Sequence, residues 1–158
     1  MWRKLLGMAL LVLAGNSWAG SNDVLVGNAW LRESVPGQKT ASLQLNLTVT
    51  RPGMLLKVST PYASAVQIQR VVPRPGKMTR QVLRTLRLPH ARTIVFGQHG
   101  LSLMLVGLKA PLSAGSRIPV TVLVRLYDGK LHEVKTTAEV RSLDLSYRHY
   151  EGGEVYDH

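Results

Sequence analysis

The chain contains no cysteine. Disulfide bonds, thiolate metal sites and cysteine nucleophiles are therefore excluded, and the fold has to be stabilised by burial alone. The catalytic signatures G-x-S-x-G and H-E-x-x-H and the glycine-rich phosphate loop are also absent. Glu33 is the single acidic residue between Asn28 and Tyr127, so the central region lacks a carboxylate pair for acid–base chemistry. We expect a protein that is not an enzyme.

Acidic residues are missing from most of the chain. From Ser34 to Tyr127 there is no Asp or Glu, against thirteen Lys and Arg, and the formal charge of the whole chain is +11. Such a surface attracts anionic partners. The densest part is a basic run comprising Arg70, Arg74, Lys77, Arg80, Arg84, Arg87 and Arg92. We interpret this run as a docking face for an acidic protein or an anionic membrane surface; a basic surface that only aids solubility is the alternative. No aromatic-interleaved basic motif is present, so nucleic acid is not an expected partner.

No hydrophobic run is long enough to span a membrane. The longest, Leu5 to Ala14, is half of the ~20 residues that a spanning helix needs. It follows the cations Arg3 and Lys4 and precedes the small-x-small pattern that ends at Ala19. This order is typical of a secretory signal peptide cleaved after Ala19, so the chain is predicted to be exported. An uncleaved N-terminal anchor is the alternative.

The repeating pattern of the remaining chain has a period of two. Apolar and polar residues alternate over Ala41 to Thr50 and over Ile118 to Leu126, and Asp128-Gly129 then predicts a hairpin turn into a strand over Leu131 to Arg141. Further short strands are predicted at Val24–Arg32, Met54–Ser59, Ala65–Val72, Val82–Leu88, Thr93–Phe96 and Leu101–Val106. Turn residues separate these segments, with Pro73 to Gly76 among them. The pattern indicates an all-β sandwich or barrel without a long helix.

Three segments follow from these patterns. Residues 1–19 are the signal peptide, residues 20–141 form one β-sandwich domain, and residues 142–158 are a polar tail that we expect to be flexible. The tail contains His149 and His158, whose imidazoles could bind Cu(II) or Zn(II) loosely.

Two opening blocks of the domain resemble a known family. Gly27–Arg32 reads GNAWLR and Val35–Ala41 reads VPGQKTA, and both are similar to the start of the periplasmic PCu(A)C copper chaperones. Weaker similarity continues through Leu103–Lys109 and Gly115–Thr121, so that the resemblance covers about Val24 to Arg141. It implies a cupredoxin-like, immunoglobulin-like β-sandwich of Greek-key type in the periplasm. It also implies Cu(I) binding and a role in loading copper into respiratory cytochrome oxidase.

The copper motif of that family is His-x(10)-Met-x(21)-His-x-Met. Aligned through the flanking blocks, its four positions fall on Gln69, Arg80, Ser102 and Met104. Only Met104 is a ligand of the expected type, because Cu(I) favours thioether sulfur and imidazole nitrogen. The guanidinium of Arg80 has no lone pair to donate. The resemblance therefore implies a degenerate site in which Cu(I) binding is weakened or lost.

Two other residues could substitute for the missing ligands. Met78 lies two positions before Arg80, on the same face of a strand, and His99 lies in the loop before Ser102. A rebuilt site of Met78, His99 and Met104 is one hypothesis. The alternative is a core methionine at position 104 and a solvated loop histidine at position 99.

Two functional hypotheses remain from the sequence. The first is a copper-family accessory protein that docks an acidic partner, such as a copper-receiving oxidase subunit or another copper carrier. The second is a non-metal binding module that uses its basic face to dock an acidic protein or anionic lipid.

Overall fold

The computed structural model describes residues 23–98 and 100–143. These residues form ten β-strands and no α-helix. The strands are β1 Val24–Arg32, β2 Thr40–Val49, β3 Gly53–Ser59, β4 Ala63–Arg74, β5 Lys77–Leu83, β6 Leu86–Leu88, β7 Thr93–Phe96, β8 Leu101–Leu108, β9 Arg117–Leu126 and β10 Leu131–Arg141. Within the described ranges no helix is long and apolar enough to cross a membrane.

The strands form one continuous sheet in the order β5-β4-β8-β2-β1-β10-β9-β3-β6, and β7 also pairs with β2. Strand β1 joins the two halves, since it is antiparallel to β2 and parallel to β10. Strands β5 and β6 stand at opposite ends of this order, yet only Arg84 and Thr85 separate them in the chain. The sheet must therefore fold back so that its two ends approach one another, as in a sandwich. The prediction of an all-β sandwich is confirmed.

One hydrophobic core lies between the two halves of the sheet. Alternate residues of β2 and β9 are buried and belong to the same cluster, together with Phe96 from β7. Burying one such side chain completely contributes about 1.5–3 kcal/mol. The intervening residues of β2, such as Ser42 and Gln44, consequently face outward and are available for a site.

The prediction of a single strand over Val82–Leu88 is wrong. The chain forms β5 up to Leu83, leaves the sheet at the exposed Arg84 and Thr85, and re-enters it as β6. The break is needed because β5 pairs with β4 whereas β6 pairs with β3 in the other half of the sheet.

Residues 1–22 and 144–158 lie outside the described residues. The predicted signal peptide, the cleavage site and the tail residues His149 and His158 fall there. The last described residue, Leu143, donates its backbone N–H to Glu33 Oε1 at 2.9 Å.

Candidate functional site

The outer face of β2, β8 and β4 carries three of the family's four ligand positions close together. In the strand register Gln69 lies directly opposite Ser102, and Met104 is flanked by Ser42 on one side and Gln67 on the other. The residues between them along each strand point into the core, so this group shares the solvent-facing side of the sheet.

A shallow pocket of about 350 Å³ opens on this face. Arg80, Ser102 and Met104 all line it, together with the polar side chains of Gln44 and Gln98. Met104 is therefore a half-buried side chain of the pocket and not a member of the core cluster.

Gly97 shapes one wall of the pocket. Its φ is +100°, which favours glycine, and a Cβ at this position would overlap the side chain of Gln44. The bare backbone thus lets the Gln44 amide lie against the turn that follows β7. Neither Gln44 nor Gln98 is predicted from the sequence; the feature that could have identified Gln44 is its outward position in the alternating strand β2.

Gln69 sits beside the pocket without lining it. Its Nε2 donates to Gln67 Oε1 at 3.1 Å, while its own Oε1 is buried and has no hydrogen-bond partner among the described residues. A buried acceptor left in this state costs stability, and an amide oxygen suits a proton donor or a hard cation better than soft Cu(I).

These residues do not fit a tight Cu(I) site. Met104 supplies one sulfur, Gln69 and Ser102 offer hard oxygens, and the cationic Arg80 lines the same pocket. Over residues 23–98 and 100–143, no group of three or more His, Cys, Asp or Glu side chains is placed to hold a metal ion.

The register separates Met78 from Met104. Met78 pairs with Pro73, whereas Met104 pairs with Gln67, six residues earlier on β4. At about 3.3 Å per residue this is roughly 20 Å along the strands, too far for two thioethers to share one ion. His99 lies outside the described residues, although its chain neighbours Gln98 and Gly100 line the pocket.

A second pocket of about 440 Å³ adjoins the first and shares Ser42 and Gln44 with it. Trp30 and Glu33 line this second pocket, and the guanidinium of Arg141 lies 4.5 Å from the centre of the Trp30 ring. This distance is within the range of a cation–π contact.

The residues of the predicted docking face divide between two places. Arg70 and Arg74 on β4 and Lys77 and Arg80 on β5 lie in one hairpin, which we call the basic ribbon, residues 70–82. Arg84 follows β5, whereas Arg87 lies on β6 opposite Met54, in the other half of the sheet. Arg92 lies between β6 and β7. All seven are exposed, and none forms an ion pair with another described residue.

Comparisons with known proteins agree with this architecture. The family model described as "Putative lipoprotein LpqE-like" matches residues 24–137. A relative from Leifsonia xyli subsp. xyli (strain CTCB07), described as "Putative lipoprotein Lxx21020", is 29% identical over 133 residues, which are 84% of this chain and 78% of the relative.

Solved structures with the same fold include copper-protein domains. The apo PmoF2 PCuAC domain aligns with a TM-score of 0.61 at 20% identity, over 77% of this chain and 92% of that domain. The Cu(I) form of DR1885 from Deinococcus radiodurans aligns with a TM-score of 0.59 at 21% identity, over 80% and 83% of the two chains. The fold implied by the resemblance to PCu(A)C proteins is thereby confirmed, and the chain belongs to the LpqE-like family.

Proposed function

We propose that this chain is an exported, non-catalytic accessory protein of copper handling whose own Cu(I) site is degenerate. The observation that carries the proposal is the pocket that Arg80 and Met104 both line. A positive charge on the wall of the same pocket repels a bound cation, and two unit charges 4 Å apart would repel by ~1 to ~4 kcal/mol, depending on the local dielectric constant. Binding of Cu(I) is accordingly weak or absent.

Export is supported from two directions. The first nineteen residues have the basic start, the apolar run and the small-x-small pattern of a signal peptide. In the proposal it is cleaved after Ala19 and the remaining chain is periplasmic. The Leifsonia relative carries the description "Putative lipoprotein", which also supports export. A lipid linked through a thiol needs a cysteine, and the sequence has none, so the proposal concerns export and not lipid attachment.

The partner in this proposal is an acidic protein, either a copper-receiving oxidase subunit or another copper carrier. The exposed cations of the basic ribbon support it, because they have no ion-pair partner among the described residues. Complementary charge increases the rate of encounter with an acidic surface.

A second candidate is a binding module that has no connection with copper. Arg80, Gln44, Gln98 and Ser102 all line the pocket, and their side chains carry a guanidinium, two amides and a hydroxyl. These are donors that suit an anion such as a carboxylate of a partner protein or a lipid head group.

Titration with Cu(I) under reducing conditions tests the proposal. The purified chain should fail to take Cu(I) from the chelator bicinchoninate. The triple variant Gln69→His, Arg80→Met, Ser102→His restores the ligand types of the family at its four positions, of which Gln69 and Ser102 already lie opposite one another in the register. We expect it to bind Cu(I) at least about tenfold more tightly than the natural chain, a gain of about 1.4 kcal/mol.

Methionine variants supply the controls. Adding Met104→Ala to the triple variant should abolish the gain, while adding Met78→Ala should leave it, because Met78 lies roughly 20 Å along the strands. One-to-one capture of Cu(I) by the natural chain in competition with the chelator would overturn the proposal. Failure of the triple variant to gain affinity would show that this face does not have the geometry of a copper site.

A further inference from the structure

We infer that strand β5 is a docking edge, to which an acidic, extended segment of a partner protein adds as a further strand. The inference rests on the proposed docking role and specifies its location and geometry. A free strand edge presents a row of backbone N–H and C=O groups, which another extended chain can pair with.

The edge strands of the sheet differ in length. Strand β6 is the edge strand at one end of the sheet and has three residues. Strand β7, which pairs with β2, has four. Short edges of this kind resist pairing with other chains. Strand β5 has seven residues, contains no proline, and stays in register with β4 from Ile68↔Leu83 to Arg74↔Lys77 without a bulge. Strand β5 is therefore a long, regular edge. Strand β10 offers another over residues 131–138, where β1 does not pair with it, but the Glu133–Lys135 ion pair there makes that edge mixed in charge.

Both faces of β5 are exposed, and one of them carries apolar side chains. Met78 is 69% exposed and Val82 is 56% exposed, and they alternate with Arg80 on one face. Lys77, Thr79 and Gln81 form the exposed part of the other face, which ends at the half-buried Leu83. An edge protected only against aggregation carries charge or proline and does not offer exposed apolar residues on both sides of an arginine.

The charge of the ribbon specifies an acidic partner. Strand β5 contributes two cations, Arg70 and Arg74 on the adjacent strand add two more, and residues 34–127 contain no acid. Directly opposed residues on one face of a strand pair interact most strongly. The partner strand should therefore carry a carboxylate opposite Arg80, with apolar residues two positions to either side.

A protein segment fits this surface better than a lipid membrane. The period-two order of Met78, Arg80 and Val82 matches the side-chain spacing of another strand. The ribbon has no Trp, Tyr or Phe that could anchor it at a membrane interface.

Fluorescence anisotropy with a labelled peptide tests the inference. The probe is acetyl-Thr-Val-Asp-Glu-Asp-Val-Thr-amide, whose Val-Glu-Val face matches β5, and its comparison is the same peptide with Gln and Asn in place of the acids. Two further peptides carry N-methyl groups, one blocking each hydrogen-bonding edge. We expect the acidic probe to bind, the neutral peptide to bind at least about tenfold more weakly, and only one of the methylated peptides to lose binding.

A pair of protein variants locates the site. Lys77→Glu with Arg80→Glu should weaken probe binding at least about tenfold, whereas the charge-matched pair Arg117→Glu with Arg125→Glu on β9 should change it about twofold or less. All four residues are exposed, so far-UV circular dichroism should show that both variants fold.

Three results would overturn the inference. These are equal binding of both methylated peptides, equal loss in the two protein variants, or binding to phosphatidylglycerol vesicles with no binding to the probe. Equal binding of both methylated peptides would mean that docking is purely electrostatic, which contradicts strand pairing but agrees with the proposed function. The copper titration monitors Cu(I) and not peptide, so either experiment can fail without the other.

Discussion

Gly53 and Gly27 are both strand glycines, but their surroundings differ. Gly53 is buried in β3, where a Cβ would lie 2.6 Å from the backbone oxygen of Arg125 on β9. Since a backbone atom in a paired strand cannot move aside, Gly53→Ala should separate β3 from β9. We expect it to lower the free energy of unfolding by about 1–3 kcal/mol, measured by urea denaturation.

Gly27 provides the matched control for that substitution. A Cβ at this position meets no atom within 4 Å, and its φ is not in the left-handed region. Gly27→Ala should leave stability unchanged or raise it by about 0.4–1 kcal/mol, because alanine restricts the unfolded chain. Similar losses in both variants would mean that the approach of β9 to Gly53 is not the cause.

At the scale of single strands, the sequence predicted those elements that are buried on one side. The alternating runs Ala41–Thr50 and Ile118–Leu126 agree with β2 and β9 to within one residue at each end, because a half-buried strand must place apolar residues at every second position. Strand β5 was missed over most of its length. Both of its faces are exposed, so no burial pattern could mark it.

The arrangement of the candidate site was also only partly predictable from the sequence. Alternation places Met78 and Arg80 on one face, but a period of two does not specify how far along the neighbouring strand a residue lies. The register supplies that distance, and it brings Arg80 to the pocket of Met104 while leaving Met78 opposite Pro73. Register depends on the turn at Pro75-Gly76 and on pairing with distant strands, which a single sequence does not specify.

Asp23 connects the start of β1 to the link between β2 and β3. Thr50 Oγ1 and Arg51 Nη2 each donate to its carboxylate at 2.7 Å, and these hydrogen bonds lower the pKa of Asp23 below its ordinary value of 3.8. A lowered pKa stabilises the fold above pH 3.8, and this contribution is lost as the pH falls through the folded-state pKa. An NMR titration of the carboxyl group should show the lowered value.

Two variants test the cause of that shift. Thr50→Ala removes the largest contribution and should raise the pKa of Asp23 toward 3.8. Asp23→Asn should reduce the slope of stability against pH in the acid range. Titration of Asp23 at or above 3.8 in the natural chain would contradict the prediction.

At the scale of the whole molecule, two halves of one sheet share a single core, and no covalent cross-link supports them. The buried residues of both halves belong to one cluster, and the chain has no cysteine. A chain of this kind has only about 5–15 kcal/mol of net stability. Loss of one large core side chain should therefore affect the entire domain in a single cooperative transition.

Phe96 is the residue for which this effect should be largest. It is the single phenylalanine of the chain, is 1% exposed, and lies on β7 opposite Leu45. Phe96→Ala should cost about 3–5 kcal/mol through lost burial and the cavity left behind, measured by thermal and urea unfolding. The control is Val35→Ala, because Val35 is 52% exposed and should change stability by about 0.5 kcal/mol or less. If β7 unfolded separately at low urea while the other strands stayed paired, the two halves would not share one cooperative core.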